Sequence, residues 1–146
     1  MFKKILVAVD GSKSSFNAMD KAIDLQKLTD AEIYLICVYK HHSLFEASLS
    51  IGRPEGMDIP DKALSDYAKD IVNHAKEMAT EKNAVKVRGF VKAGRPSSVI
   101  VKFAEEKDID LIVVGTRGTH SGKDGILLGS VSHRVASKAK CPVLVV

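Results

Sequence analysis

Apolar residues along the chain alternate between two textures: short continuous runs, and longer stretches where they return every three or four positions. Continuous β-branched runs suit parallel strands covered on both faces, whereas the three-to-four spacing marks one face of a helix. Residues 5–9, Ile-Leu-Val-Ala-Val, form the first run. Asp10-Gly11-Ser12 then supplies turn and cap chemistry, and Phe16, Met19 and Ile23 repeat at helical spacing up to about Leu28. Residues 33–38 read as a second strand. From Asp61 onward, Leu64, Tyr67, Ala68, Ile71, Ala75 and Met78 mark one stripe of a long amphipathic helix. Residues 85–91 read as a third strand, weakened by Arg88 and Gly89.

Ala93-Gly94-Arg95-Pro96 is a turn into another helix, with Pro96 suited to the first turn and Val99, Ile100 and Phe103 facing inward. Leu111-Ile112-Val113-Val114 is the strongest strand. A glycine-rich loop from Gly115 to Gly129 follows, then a helix starting near Ser130 that buries Val131 and Val135, and a fifth strand over residues 142–146. Strands alternating with helices predict an α/β fold: a single doubly wound five-stranded parallel sheet, helices on both faces, in a three-layer α/β/α sandwich. Without internal repeats or a low-complexity linker, residues 1–146 are expected to form one domain. The stretch from Lys40 to Pro60 lacks any period and carries Gly52, Pro54, Gly56 and Pro60. A loop of that length in a compact domain is functional or mobile.

Composition narrows the function classes. Of the 146 residues, 45% are hydrophobic and 27% charged, which argues for a packed core rather than disorder. The net charge of +4 is mild, no Lys/Arg cluster is interleaved with aromatics, and Trp is absent, so no dedicated nucleic-acid surface is expected. The start, Met1-Phe2-Lys3-Lys4, is like that of a signal peptide, but the apolar run ends at Asp10 with no small-residue cleavage site. No apolar segment approaches the roughly 20 residues of a membrane helix. These features predict a soluble, cytoplasmic protein that does not engage membranes. Cys37 and Cys141 lack CxxC spacing and read as buried, reduced thiols.

Candidate chemistry concentrates in the loop between Gly115 and Gly129. Its glycines let main-chain N–H groups approach an anion closely. Ser130 is a candidate cap for the last helix, whose first N–H groups, at Val131 and Ser132, would favour a phosphate through hydrogen bonds and helix dipole together. Two familiar motifs are excluded. Gly118 to Gly122-Lys123 is one residue short of a Walker A loop and continues with Asp124 rather than Ser or Thr. Gly115-x-x-Gly118 lacks the third glycine and the position of a dinucleotide fingerprint. Asp10, ending the first strand, is either an acceptor for a ligand's amine or hydroxyl or a turn aspartate bonding its own backbone. In open parallel sheets ligands bind beyond the strands' carboxyl ends, where the strand order reverses, so Asp10 and Gly115 can share one crevice.

The histidines add little. Neighbouring His41 and His42 point apart on an extended chain and, like His74 and His133, read as solvated surface residues; His120 and Lys123, inside the loop, are candidates to touch a phosphate. No Ser-His-Asp or Cys-His set can be assembled and no general base is recognisable, so any hydrolysis of a bound phosphate ligand should be slow.

Four segments then carry a resemblance: Val9-Asp10-Gly11-Ser12; Asp110 through Val114 with Gly115-Thr116-Arg117-Gly118; Leu127-Leu128-Gly129-Ser130-Val131-Ser132; and Cys141-Pro142-Val143-Leu144-Val145-Val146. In this order, over all but the stretch from Lys40 to Pro60, the chain resembles a universal stress protein of the ATP-binding branch. That branch's motif is Gly, two residues, Gly, nine residues, Gly, then Ser or Thr. Here Thr119 to Leu128 makes ten, one residue more, which must bulge away from the phosphates if nucleotide is to bind.

The resemblance implies a strand order of 3-2-1-4-5 and ATP, with or without Mg or Mn, as ligand. Asp10 would meet adenine or ribose, with Ala8 and Ser12 beside it, and Val38 would contact adenine through its backbone. Gly115, Arg117 and Gly118 would approach ribose and phosphates, and Gly129, Ser130, Val131 and Ser132 would hold the phosphate tail. Ala8 stands where some relatives carry proline. The resemblance also implies a homodimer paired through the strand from Val143 to Val146, and a regulatory role in stress response. Two alternatives stay open: an interaction module whose extra loop residue has closed the site, and an adenine-nucleotide hydrolase or transferase of related architecture. The latter's signature loops are missing from Asp10-Gly11-Ser12-Lys13-Ser14-Ser15 and His41-His42-Ser43-Leu44.

Overall fold

A computed structural model describes residues 1–40, 61–116 and 128–146, and within them strands form where the sequence is continuously apolar and helices where it is striped. In chain order the elements are β1 (Lys4–Ala8), α1 (Lys13–Thr29), β2 (Glu32–Tyr39), α2 (Asp61–Glu81), β3 (Val87–Ala93), α3 (Pro96–Glu106), β4 (Leu111–Val114), α4 (Ser130–Lys138) and β5 (Val143–Val145). All neighbouring strands run parallel, in the order β3-β2-β1-β4-β5, as the resemblance implied.

Strand side chains alternate between two cores. Ile5, Val7, Ile33, Leu35, Leu111 and Val113 pack against Ala18, Met19, Ala22 and Ile23 of α1 and Ala68, Val72, Ala75 and Ala79 of α2. Their neighbours Leu6, Tyr34, Ile36, Ile112 and Val114 pack against Ile100, Phe103 and Ala104 of α3 and Val135 of α4. Two helices therefore cover each face, and both faces of the central strands are apolar because both are buried.

Several boundaries differ from the sequence reading. β3 begins at Val87, not Val85: Val85 is exposed, and its N–H donates to Gln26 Oε1 at 3.0 Å while its carbonyl accepts from Gln26 Nε2. Gln26 is buried and also donates to Ala31 O at 2.8 Å, so one side chain ties the end of α1 to the segments entering β2 and β3. Tyr67 lies off the buried stripe of α2 and is 64% exposed; Val72 and Ala79 belong to that stripe instead. At the amino end of β1, Asp110 Oδ2 accepts the Lys3 and Lys4 N–H groups and fixes β1 against β4.

β1 is the pivot of the topology. From it the chain steps outward through β2 to β3, then crosses back to β4 on the opposite side and out to β5. The carboxyl ends of β1 and β4 thus lie side by side at the point of reversal.

Candidate functional site

At the end of β1, Asp10 and Ser12 organise a tight turn. Asp10 Oδ1 accepts the Ser12 N–H at 2.9 Å, and Gly11 between them adopts φ +85, open to glycine. Ser12 caps α1 with its hydroxyl accepting the Ser15 N–H at 3.2 Å; in return Ser15 Oγ donates to Ser12 O at 2.9 Å and accepts the Asp10 N–H at 3.3 Å. Ser15 is buried and holds this turn, a role that sequence reasoning missed. Asp10 therefore is a turn aspartate, with one of its two carboxylate oxygens engaged in the turn and the side chain half-buried.

β1 stops at Ala8, opposite Ile36, while β2 continues to Tyr39. Ile36 O accepts the Val9 N–H at 2.9 Å, and Tyr39 O accepts the Gly94 N–H on the β3 side at 2.9 Å. Alternate residues of a parallel strand bond to opposite neighbours. The main-chain groups of Val38 consequently face the β1 side, one step beyond the strand's end, next to Asp10.

Gly115 follows β4 and lies hard against the start of α1. A Cβ there would stand 2.3 Å from Ser14 Oγ and 2.7 Å from the Ser14 carbonyl carbon, so only glycine fits. Thr116, also unforeseen from the sequence, ties three segments together: its N–H donates to Val146 O at 2.9 Å, and its carbonyl accepts the Gly129 N–H at 2.6 Å. The Ser132 hydroxyl lies 3.4 Å from the same carbonyl and 3.0 Å from Gly129 O. The two ends of the glycine loop are thereby drawn to one place. Arg117, Gly118, His120 and Lys123, the extra loop residue, and His41 and His42 within the stretch from Lys40 to Pro60 lie outside the described residues.

The expected cap of α4 is corrected: Gly129 is the N-cap residue, with no side-chain cap bond, and Ser130 is the exposed first residue of the helix. The chain reaches Gly129 already bound to Thr116, which places the boundary one residue earlier. His133 N–H is bonded to Gly129 O at 3.0 Å, leaving the N–H groups of Ser130, Val131 and Ser132 outside the helix's own ladder. α1, α3 and α4 all lack an acidic residue in their first turn, where a carboxylate would offset the helix dipole. α2 does carry one, Asp61.

Beneath the turn, Cys37 is buried, and burial with the nearby Asp10 charge pushes its thiol up to about 12. Cys141 is half-buried and also raised, chiefly by burial; both thiols are free. His74 is exposed and meets the Phe16 ring edge-on, with centroids 5.7 Å apart; His133 is exposed on α4. Among the described residues, no group of three or more His, Cys, Asp or Glu side chains could hold a metal ion, and no helix is long and apolar enough to cross a membrane.

The model of the universal stress protein family matches residues 1–146. The chain belongs to that family. Curated members include universal stress protein MJ0531 of Methanocaldococcus jannaschii, 40% identical over 148 residues, covering 100% of this chain and 82% of the relative. Universal stress protein YxiE of Bacillus subtilis is 39% identical, covering 100% and 99%. Among solved structures, hypothetical protein MJ0577 is 30% identical with a TM-score of 0.79, covering 100% of this chain and 96% of that one. A universal stress protein in complex with cAMP is 26% identical with a TM-score of 0.72, covering 99% and 97%.

Proposed function

We propose that this universal stress protein binds ATP at the carboxyl ends of β1, β2 and β4 and acts as a regulatory, stress-response protein rather than as an enzyme. The observation that carries the reading is the seating of Gly115 on Ser14, which joins the strand-1 turn to the glycine loop and the start of α4 at the reversal of strand order. The donor set suits an adenine nucleotide. The Asp10 carboxylate and the outward main-chain groups of Val38 offer an acceptor and an edge for adenine or ribose, beside Ala8. Ser12 is committed to capping α1 and acts through the turn. The family resemblance assigns Gly115, Arg117 and Gly118 to the ribose and phosphates, and Gly129 with the N–H groups of Ser130, Val131 and Ser132 would receive the phosphate tail. A Mg or Mn ion would be carried by the phosphates themselves. The cAMP complex of a 26%-identical relative supports an adenine ligand in this fold. Pairing of two copies through the strand from Val143 to Val146 would complete the molecule in the cytoplasm.

Denaturing the purified protein and taking the ultraviolet spectrum of the deproteinised supernatant tests for retained adenine nucleotide, with calorimetry against ATP-Mg as the second measurement. Gly129 sits at φ −59 and ψ 157, open to any residue, so Gly129→Val is expected to fold and to lose nucleotide binding. Asp10→Ala is expected to weaken binding by about ten- to a hundredfold, the equivalent of about 1.5–3 kcal/mol for a charge-assisted hydrogen bond. Asp10→Asn keeps an acceptor for Ser12 and isolates the effect of the charge. Unchanged affinity in folded Gly129→Val would refute the placement, and multiple-turnover hydrolysis would favour an enzyme instead.

A further inference from the structure

The two edges of the sheet are unlike each other. β5 is three residues long, whereas β3, from Val87 to Ala93, is seven residues long and pairs with β2 in unbroken register from Ile33↔Val87 to Tyr39↔Ala93. It contains neither proline nor bulge, and no described strand lies on its outer side. Long regular edges are templates for strand addition, and proteins usually blunt them. Beside this edge runs a groove of about 240 Å³ between α2 and β3, lined by Lys69, Val72, Asn73, Lys76, Gly89 and Val91. It is smaller than the roughly 300–1,000 Å³ of small-molecule sites. That size suits alternate side chains of an extended segment.

We propose that the outer edge of β3 and the adjoining α2 groove form a docking site for an acidic, extended peptide segment of a partner protein, bound as an added strand. Charge selects the occupant. The groove is lined by two lysines, Lys69 and Lys76, and by no carboxylate; the neighbouring Asp66 pairs with Lys69 only at 3.9 Å between exposed groups. On the opposite side of β3, Lys92 is exposed, and Arg88 is 64% exposed while paired with Glu32 at 2.8 Å. A segment laid along β3 would thus meet cations on both of its faces. The same charges act against a second copy of this chain. Antiparallel self-pairing centred on Phe90 would set Arg88 of one copy opposite Lys92 of the other, and like charges directly opposite destabilise a pair. The main chain of β3 supplies hydrogen bonds, and the lysines supply selectivity.

Fluorescence anisotropy tests this with a labelled heptapeptide of alternating Glu and Val. Controls carry Lys in place of Glu, or N-methyl groups on alternate amides. Saturable binding of the acidic peptide is expected, weakening with salt, together with loss of binding on N-methylation. Lys69→Glu/Lys76→Glu is expected to weaken it by about tenfold or more. Lys69→Ala/Lys76→Ala serves if melting shows the first variant misfolded. Equal binding of the acidic and basic peptides, insensitivity to N-methylation or to the lysine variants, or no saturable binding would overturn the proposal. Sedimentation showing self-association that Lys92→Glu alters would assign the edge to a second copy and overturn it equally.

Discussion

Cys37 shows how burial turns an ordinary side chain into a pH-dependent term. Its thiol rises from 9.0 to about 12, first through burial and then through the Asp10 charge. The folded chain therefore holds this proton more tightly than the unfolded chain does. Below about pH 9 that advantage is complete; it is lost as pH rises toward about 12, because the unfolded thiol ionises first. Urea-denaturation midpoints should accordingly fall with pH across this alkaline window, and Cys37→Ala should show a shallower fall. Identical slopes for both proteins would contradict the burial argument. Asp10 and Gly115 both stand out in the sequence, but the sequence carries only part of the reason. In the sequence Asp10 reads as a turn former or a ligand acceptor, and the structure shows the turn bond, with Oδ1 accepting the Ser12 N–H. In the sequence Gly115 suggests an opening for an anion, while its immediate physical necessity is the close approach of Ser14.

At the scale of elements, α2 lies close on β3 because Gly89 has no side chain. An added Cβ would stand 2.4 Å from Val72 Cγ1. Gly89→Ala is expected to destabilise the protein by about 1–3 kcal/mol through overpacking. Trimming the obstacle in Gly89→Ala/Val72→Ala should recover part of that loss, measured by chemical denaturation as a double-mutant cycle. Simple additivity of the two single costs would mean that the close approach is not the cause. The same glycine, read along the sequence, only weakened the strand pattern. Val85 misled in the opposite direction: its β-branched side chain suggested a strand, yet Gln26, 59 positions away, draws its backbone into a clasp before β3 begins. Tyr67 fits the helical period but points to water, since period alone does not set how wide the buried stripe is.

For the whole molecule, β5 offers the second edge, with Leu144 37% exposed and Val143 and Val145 half-buried. If two copies pair there, Leu144→Asp should shift sedimentation toward the monomer, while a monomeric wild-type protein would remove this expectation. The terminal strand also reaches the candidate site, because Val146 O receives the Thr116 N–H at 2.9 Å. A change at Leu144 is therefore two residues from Val146, whose carbonyl holds Thr116 at the start of the glycine loop.

The sequence by itself determined the kinds of element and their succession. Continuous apolar runs, helical stripes, the Asp10-Gly11-Ser12 turn and Pro96 at a helix start are local signals that need no knowledge of neighbours. Strand order was available only through the family resemblance, since periodicity does not say which strand lies beside which. Tertiary structure alone decided that Val38 turns its main chain toward the end of β1, that Thr116 gathers the loop ends and Val146, and that Gly129 rather than Ser130 caps α4. Each of these rests on a hydrogen bond or close approach between segments far apart in sequence, and such contacts come into being only when the sheet assembles.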